Sequence, residues 1–272
     1  MPRPVGELVR RWREHRGYSQ LALASRAEIS ARHLSFLETG RSRPSRDMVL
    51  RLGRHLDLAS REQNQLLLAA GYAPAYTDSP LDAADMLPVR DALRQILTGH
   101  EPFPALVVDR DWNVVLSNSG FRLFAEGAAP ELLHPPVNAL RLALHPEGMR
   151  PRIINFPEWR DQLLQRLQRR VELTAEPGLT ELYRELLDYS IDDQPDPPPR
   201  TDHTDLTLPL RLRYRDAELA LICTIATFGM PLDATVTELA VEAFLPADGV
   251  TGKLLKTLHA AAPAGQDPAG AA

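Results

Sequence analysis

The chain has 272 residues, 44% of them hydrophobic, and carries 31 Lys or Arg against 36 Asp or Glu, a formal net charge of −5. That length allows two independent cores, one of about 75 and one of about 180 residues; the single Cys223 rules out an internal disulfide, no Cys/His set has metal-ligand spacing, and no apolar run is long enough to span a bilayer. The charge is uneven, because residues 1–62 hold thirteen Arg and seven acids for a net of +6 while the remainder is at −11, and basic charge confined to one small segment is the footprint of phosphate binding.

In chain order, the first predicted helix pairs Leu8 with Trp12 at i, i+4, so Trp12 reads as a core anchor although Arg10, Arg11 and Arg13 surround it. Ser19 stands where an N-cap belongs, before a helix beginning near Gln20 with Leu23, Ala24 and Ala27 on its stripe. Ala24 is small where two helices crossing near a right angle must touch. A turn of about three residues follows, then Ser30 as a second N-cap and Leu34 and Leu37 on a second short helix, which is helix-turn-helix spacing. Gly40 suits the C′ position of that helix, and Pro44 keeps it from resuming. Met48, Leu52 and Leu56 supply a packing helix. Over residues 5–60 the sequence resembles the lambda-repressor-like, or XRE-type, helix-turn-helix family. It departs at Glu28, where the turn usually has Gly with positive φ; a non-Gly residue there costs on the order of 1 kcal/mol. A short α-hairpin with no nucleic acid is the alternative, and the charge speaks against it.

A helix-turn-helix enters the major groove by the N-terminal residues of its second helix. Ser30, Ala31, Arg32 and Ser35 are therefore the candidates for facing base edges. Arg32 has the reach for guanine O6 and N7, with a phosphate contact as the alternative, and Ala31 suits a thymine methyl. Phe36 stands between the groove and the edge of the core. Gln20, Arg41 and Arg43 are candidate phosphate partners, a solvated surface position being the alternative for the arginines.

Helical pattern continues over 60–70, and the stretch GYAPAYTDSP (71–80) is a turn-rich boundary. The domains expected are 1–77 for DNA, 78–100 as a linker helix, 101–260 for a ligand, and 261–272 as a disordered tail. Within the second half the pattern predicts a hairpin, 105–109 and 112–117 around a turn at Arg110 and Asp111. Helices follow at 120–126, 137–144, 157–173 and 179–189, then an exposed loop at 192–204. Strands at 206–215, 218–228 and 238–245 and a helix at 249–260 complete it. Leu208, Leu210, Leu212 and Tyr214 alternate as a half-buried strand does.

Two strands, several helices and three more strands is the order of a PAS-like sensor fold, an antiparallel sheet covered by helices that encloses a cavity. The class expected is thus α+β: an all-α helix-turn-helix domain followed by a PAS-like domain. The runs RHLSFLETGRSRPS (32–45), LLLAAGYAP (66–74), PALVVDRDWNVVLSN (104–118) and TFGMPLD (227–233) are similar to those of the MmyB-like family of bacterial transcription regulators. The resemblance implies an XRE-type DNA-binding domain joined to a PAS-like domain that binds a small molecule, for part of the family a fatty-acid-like one.

Candidate ligand residues are Phe121, Phe124, Leu140, Leu144, Phe156 and Trp159 on helices, with Leu116, Cys223, Ile225 and Phe228 on strands; plain core packing is the alternative for each. Arg141 and His145, at i, i+4, are candidates for a carboxylate head group, as are Arg150 and Arg152, against a reading as solvated arginines beside a structural histidine. Asp109 and Asn118 bracket the hairpin as structural ties. An enzyme is not expected. Serine self-cleavage needs a deprotonated lysine, and only Lys253 and Lys256 exist, on a C-terminal amphipathic stretch. Cys223 lies in an apolar run, and no glycine-rich phosphate loop is present. No cofactor is expected. The partners expected are double-stranded DNA, a small effector and a second copy of the chain, and the N-terminus lacks a signal peptide, which points to a cytoplasmic protein. The rival reading is an antitoxin or adaptor whose C-terminal part binds a protein.

Overall fold

The computed structural model describes residues 4–174, 176–189, 208–228 and 233–261. The loop expected at 192–204, the start of the strand expected at 206, residues 229–232 of the TFGMPLD run and the tail at 262–272 lie outside them. The chain divides into two compact units. One is 1–83 together with 229–237, the other 84–228 together with 238–272.

The first unit begins with five helices: α1 (Val5–His15), α2 (Gln20–Arg26), α3 (Ala31–Glu38), α4 (Arg46–His55) and α5 (Ser60–Ala69). Capping explains several of the boundaries. Ser19, Ser30 and Ser45 each accept the N–H of the residue three positions on, Ala22, His33 and Met48. At the other end of α3, the Gly40 N–H donates to Leu37 O and the Arg41 N–H to Phe36 O, the paired bonds of a Schellman motif, with Gly40 at φ +73°. Glu28 does sit in the left-handed region, at φ +54°. Leu23, Leu34, Leu37, Val49, Leu52, Leu56, Leu66 and Leu67 form the core of this unit. A Cβ at Gly6 would stand 2.1 Å from the Leu37 carbonyl oxygen, so α1 can lie this close to α3 only because position 6 lacks a side chain.

In the second unit, α6 (Leu87–Gly99) precedes β1 (Ala105–Val108) and β2 (Val114–Ser117). The strands are shorter than expected because Asp109 Oδ1 accepts the N–H groups of Asp111 and Asn113. That turn puts Trp112 at φ +67°, outside the strand, and buries its ring. Asn118 Oδ1 accepts the Ala105 N–H while its amide donates to Leu97 O and Phe103 O, a structural tie. Then come α7 (Arg122–Ala125), α8 (Ala139–Leu144), α9 (Phe156–Thr174) and α10 (Pro177–Asp188). The sheet resumes with β3 (Leu210–Tyr214) and β4 (Ala217–Thr227); α11 (Ala234–Glu238) intervenes before β5 (Ala240–Pro246), and α12 (Gly249–Ala261) follows.

The five strands are antiparallel in the order β2-β1-β5-β4-β3. The fold is α+β, and the second unit has the PAS-like arrangement expected of it. Thr227 pairs with Ala240, and Asp233 and α11, which come between them in the chain, are not part of the sheet. Residues 233–237 belong to the first unit, where Asp233 accepts the Ser79 N–H and caps α11 through the Thr235 N–H. One face of the sheet buries Ala105 and Val107, with α6 packed on β1 and β2. The other buries Leu106, Leu210, Leu212, Leu219, Leu221 and Phe244 in one cluster with α7–α10.

Candidate nucleic-acid interface and candidate ligand cavity

On α3, Leu34, Leu37 and Glu38 face inward, while Ala31, Arg32, Ser35 and Phe36 lie along the open side. Arg32 is exposed and its guanidinium sits 5.3 Å from the Phe36 ring centroid; Arg41, from the loop after Gly40, sits 5.9 Å from the same ring. Phe36 thus belongs neither wholly to the core nor to solvent, and it serves as a platform under two cations. Ser30 is exposed, with its hydroxyl accepting at the cap, and Arg43 is exposed in the loop.

Gln20 has another partner. Its amide donates to Glu38 Oε2 at 2.7 Å, joining an ion pair in which Arg13 Nε and Nη2 reach the two Glu38 oxygens at 2.6 and 3.0 Å. Both charged groups are nearly out of solvent, at 9% and 1% side-chain exposure. The hydrogen bonds to Glu38 are the main reason the Arg13 guanidinium is held above its ordinary pKa. This pair locks α1 to the C-terminal end of α3, fixing the angle at which the open side of α3 is presented. Sequence reasoning missed it, since a charged residue on an apolar stripe reads as the stripe's edge; the acid one turn after Leu34, at the inward position 38, was the available signal.

In the second unit, a cavity of about 40 Å³ lies between the sheet and the helices over it. At that size it has room for about three waters. Phe121, Phe124, Leu140 and Trp159, all expected, line it, as does Cys223. Leu144 and Phe156 are fully buried in the same cluster without lining the cavity. Phe228 is half-buried beyond the end of β4 and is not part of the wall. Lining residues not anticipated include Leu106, Trp112, Leu142, Met149, Arg166, Glu242 and Phe244.

Arg141 and His145 are elsewhere. Arg141 forms a bidentate pair with Glu185 at 2.8 and 2.7 Å on the surface, which lowers the Glu185 pKa. His145 packs edge-on against Tyr189, whose hydroxyl donates to Glu185 at 2.6 Å. Arg152 donates to the carbonyls of Leu123 and Phe124, both at 2.9 Å, and Arg150 is buried over the Phe156 ring. These side chains hold the fold together, so none of them supplies the cavity with a cation.

The cavity's polar groups come from two elements. Trp159, Leu163 and Arg166 share one face of α9 at spacings of four and three, so the helix that supplies apolar wall also delivers a guanidinium. Arg166 Nη2 donates to Glu242 Oε1 at 2.8 Å, and its guanidinium lies 4.7 Å from the Trp112 ring centroid. Glu242 is buried on β5 between Leu106 and Ile225 on the adjoining strands. Burial, with Glu242 adding to it, pushes the Cys223 thiol up to about 12, so the sulfur is a neutral part of the wall. Among the described residues no group of three metal donors occurs, and no helix is long and apolar enough to cross a membrane.

Residues 89–258 match the MmyB-like transcription regulator ligand binding domain, and residues 4–67 match a helix-turn-helix domain. None of the curated proteins matches the chain. Among solved structures, an RNA-binding light-oxygen-voltage receptor is similar at 15% identity with a TM-score of 0.23, over 94% of this chain and 61% of that one. The chain therefore spans less than two thirds of that protein.

Proposed function

The chain belongs to the MmyB-like transcription regulators, and from that premise we propose a sequence-specific regulator of double-stranded DNA whose second unit takes an apolar effector. A helix-turn-helix domain followed by this ligand-binding domain makes a ligand-responsive transcription regulator. The finer reading gives base contacts to Ser30, Ala31, Arg32 and Ser35, and phosphate contacts to Arg41 and Arg43. A homodimer would place two recognition helices in successive major grooves, about 34–36 Å apart.

The effector reading rests on the partly open, mostly hydrocarbon cavity with a few polar groups in its wall, the usual composition of a small-molecule site. Fatty-acid-like molecules are one class with the matching apolar body. At about 40 Å³ the cavity must swell to admit a chain, and this gives the ligand its means of action. It favours whichever arrangement of α8 and α9 over the sheet is the more open, and shifts DNA affinity only by its preference between arrangements.

The observation that carries the DNA reading is the open side of α3, where Arg32 projects from a unit of net positive charge. Arg32→Ala should weaken binding to the cognate site by about 1–3 kcal/mol while leaving weak nonspecific binding nearly intact. Fragment selection followed by titration on cognate and scrambled duplexes measures both. Equal losses on the two would make Arg32 a phosphate clamp.

A further inference from the structure

We propose that the cavity selects an effector with an uncharged hydrogen-bonding head, an alcohol, ester or amide, and discriminates against carboxylates and ammonium groups. The inference rests on the effector reading above and names the chemistry that reading leaves open.

The argument begins with the charges in the wall. Arg166 and Glu242 are both lining residues, and they are paired with each other at 2.8 Å. Glu242 is only 8% exposed and Arg166 only 24%. The cavity therefore offers an arriving molecule a neutralised ion pair. Among the described residues no other charged side chain lines it, and the thiol of Cys223 is neutral. Arg141, Arg150 and Arg152 are committed to surface or structural partners, and His145 packs against Tyr189.

A carboxylate entering this site reaches Arg166 only beside Glu242 or in its place. Beside it, two carboxylates share one guanidinium in a poorly solvated space, which disfavours ionising both. In its place, Glu242 is left buried and unpaired, which is strongly unfavourable in proteins. Rotating Glu242 away from Arg166 still leaves its carboxylate at a position only 6% exposed, on a strand paired on both sides. An ammonium head meets the mirror-image problem with Arg166, which is held additionally over the Trp112 ring. An uncharged head meets neither. A hydroxyl can donate to Glu242 and accept from Arg166 at once, and an ester or amide carbonyl can accept an N–H of the guanidinium without breaking the pair. The apolar body then lies against Phe121, Phe124, Leu140 and Leu142.

The test uses the full-length protein and a ten-carbon series: 1-decanol, methyl decanoate, decanoate and decylammonium at pH 7.5. Affinities come from titration calorimetry, with thermal stabilisation as a second readout. The alcohol and the ester should bind at least about tenfold more tightly than either ion. Glu242→Gln should then gain about tenfold or more for decanoate, because Arg166 is no longer neutralised, while affinity for methyl decanoate, whose carbonyl needs only the guanidinium, changes only a few-fold. Decanoate binding as tightly as decanol to the unaltered protein overturns the proposal and leaves the effector reading standing. Discrimination that persists unchanged in Glu242→Gln overturns the role of the ion pair. Binding of none of the four overturns the effector reading itself. Should Glu242→Gln not fold, the four-probe series on the unaltered chain still decides.

Discussion

Two side chains of the first unit show how single residues set the presentation of the DNA-reading face. Phe36 supports Arg32 and Arg41 on one ring. Exposed cation–π contacts are worth about 0.5–1 kcal/mol each, so Phe36→Leu, which keeps apolar bulk but removes the ring, should weaken cognate binding by about tenfold. Losing the two contacts should also lower its melting temperature by a few degrees, so fluorescence titration at a temperature where a thermal melt shows the variant fully folded isolates the effect on binding. An unchanged affinity would show that the arginines find their contacts without the platform. Glu38 behaves oppositely. Its carboxylate is buried and receives Arg13 and Gln20, and removal of one partner from such a pair typically costs about 3–5 kcal/mol. Glu38→Ala should therefore reduce the stability of the first unit by that amount in urea, and lose DNA binding as a consequence.

At the scale of elements, the sequence is readable wherever hydrophobic period and caps agree, as in the Ser19, Ser30 and Ser45 caps and the alternation of β3. It is not readable where a side chain redirects the backbone. Asp109 shortens the hairpin and turns Trp112 from a strand residue into cavity wall. The polar wall was hidden for a related reason: Arg166 and Glu242 meet across 76 positions, so no local spacing announces them. α11 escaped because five residues carry too little periodicity, and Asp233 is what organises it. Burial raises the Asp233 pKa, but the Thr77 side chain and the N–H groups of Ser79, Val236 and Thr235 outweigh it and hold the pKa below the usual carboxylate value. A depressed folded-state pKa contributes stability above the unfolded value of about 3.9, lost as pH falls through the lower folded one. Asp233→Ala should thus cost about 1–2 kcal/mol at pH 7. The gap to the unaltered protein should close as pH falls below about 4, which melts at a series of pH values would follow; a gap independent of pH would mean the carboxylate's charge is irrelevant there.

For the molecule as a whole, the problem is how a chain with net charge −5 binds a polyanion. Its acids are concentrated after residue 62, where the net is −11, and the first 62 residues stand at +6. At about 0.1 M salt the screening length is about 10 Å, so DNA senses the charges it touches more than the total. Phosphate contacts then govern the salt response, with a slope of log affinity against log salt of about −0.9 per phosphate neutralised. Arg41 and Arg43 are the exposed loop cations assigned to phosphate. Replacing both with Ala should make the slope on nonspecific duplex shallower by about 2, whereas Arg32→Ala should leave it nearly as it was. The comparison is made by titrating one duplex across a salt series with each variant. If the double variant kept the full slope, the loop after α3 would not touch the backbone, and the electrostatic anchoring would have to come from other arginines of the first unit.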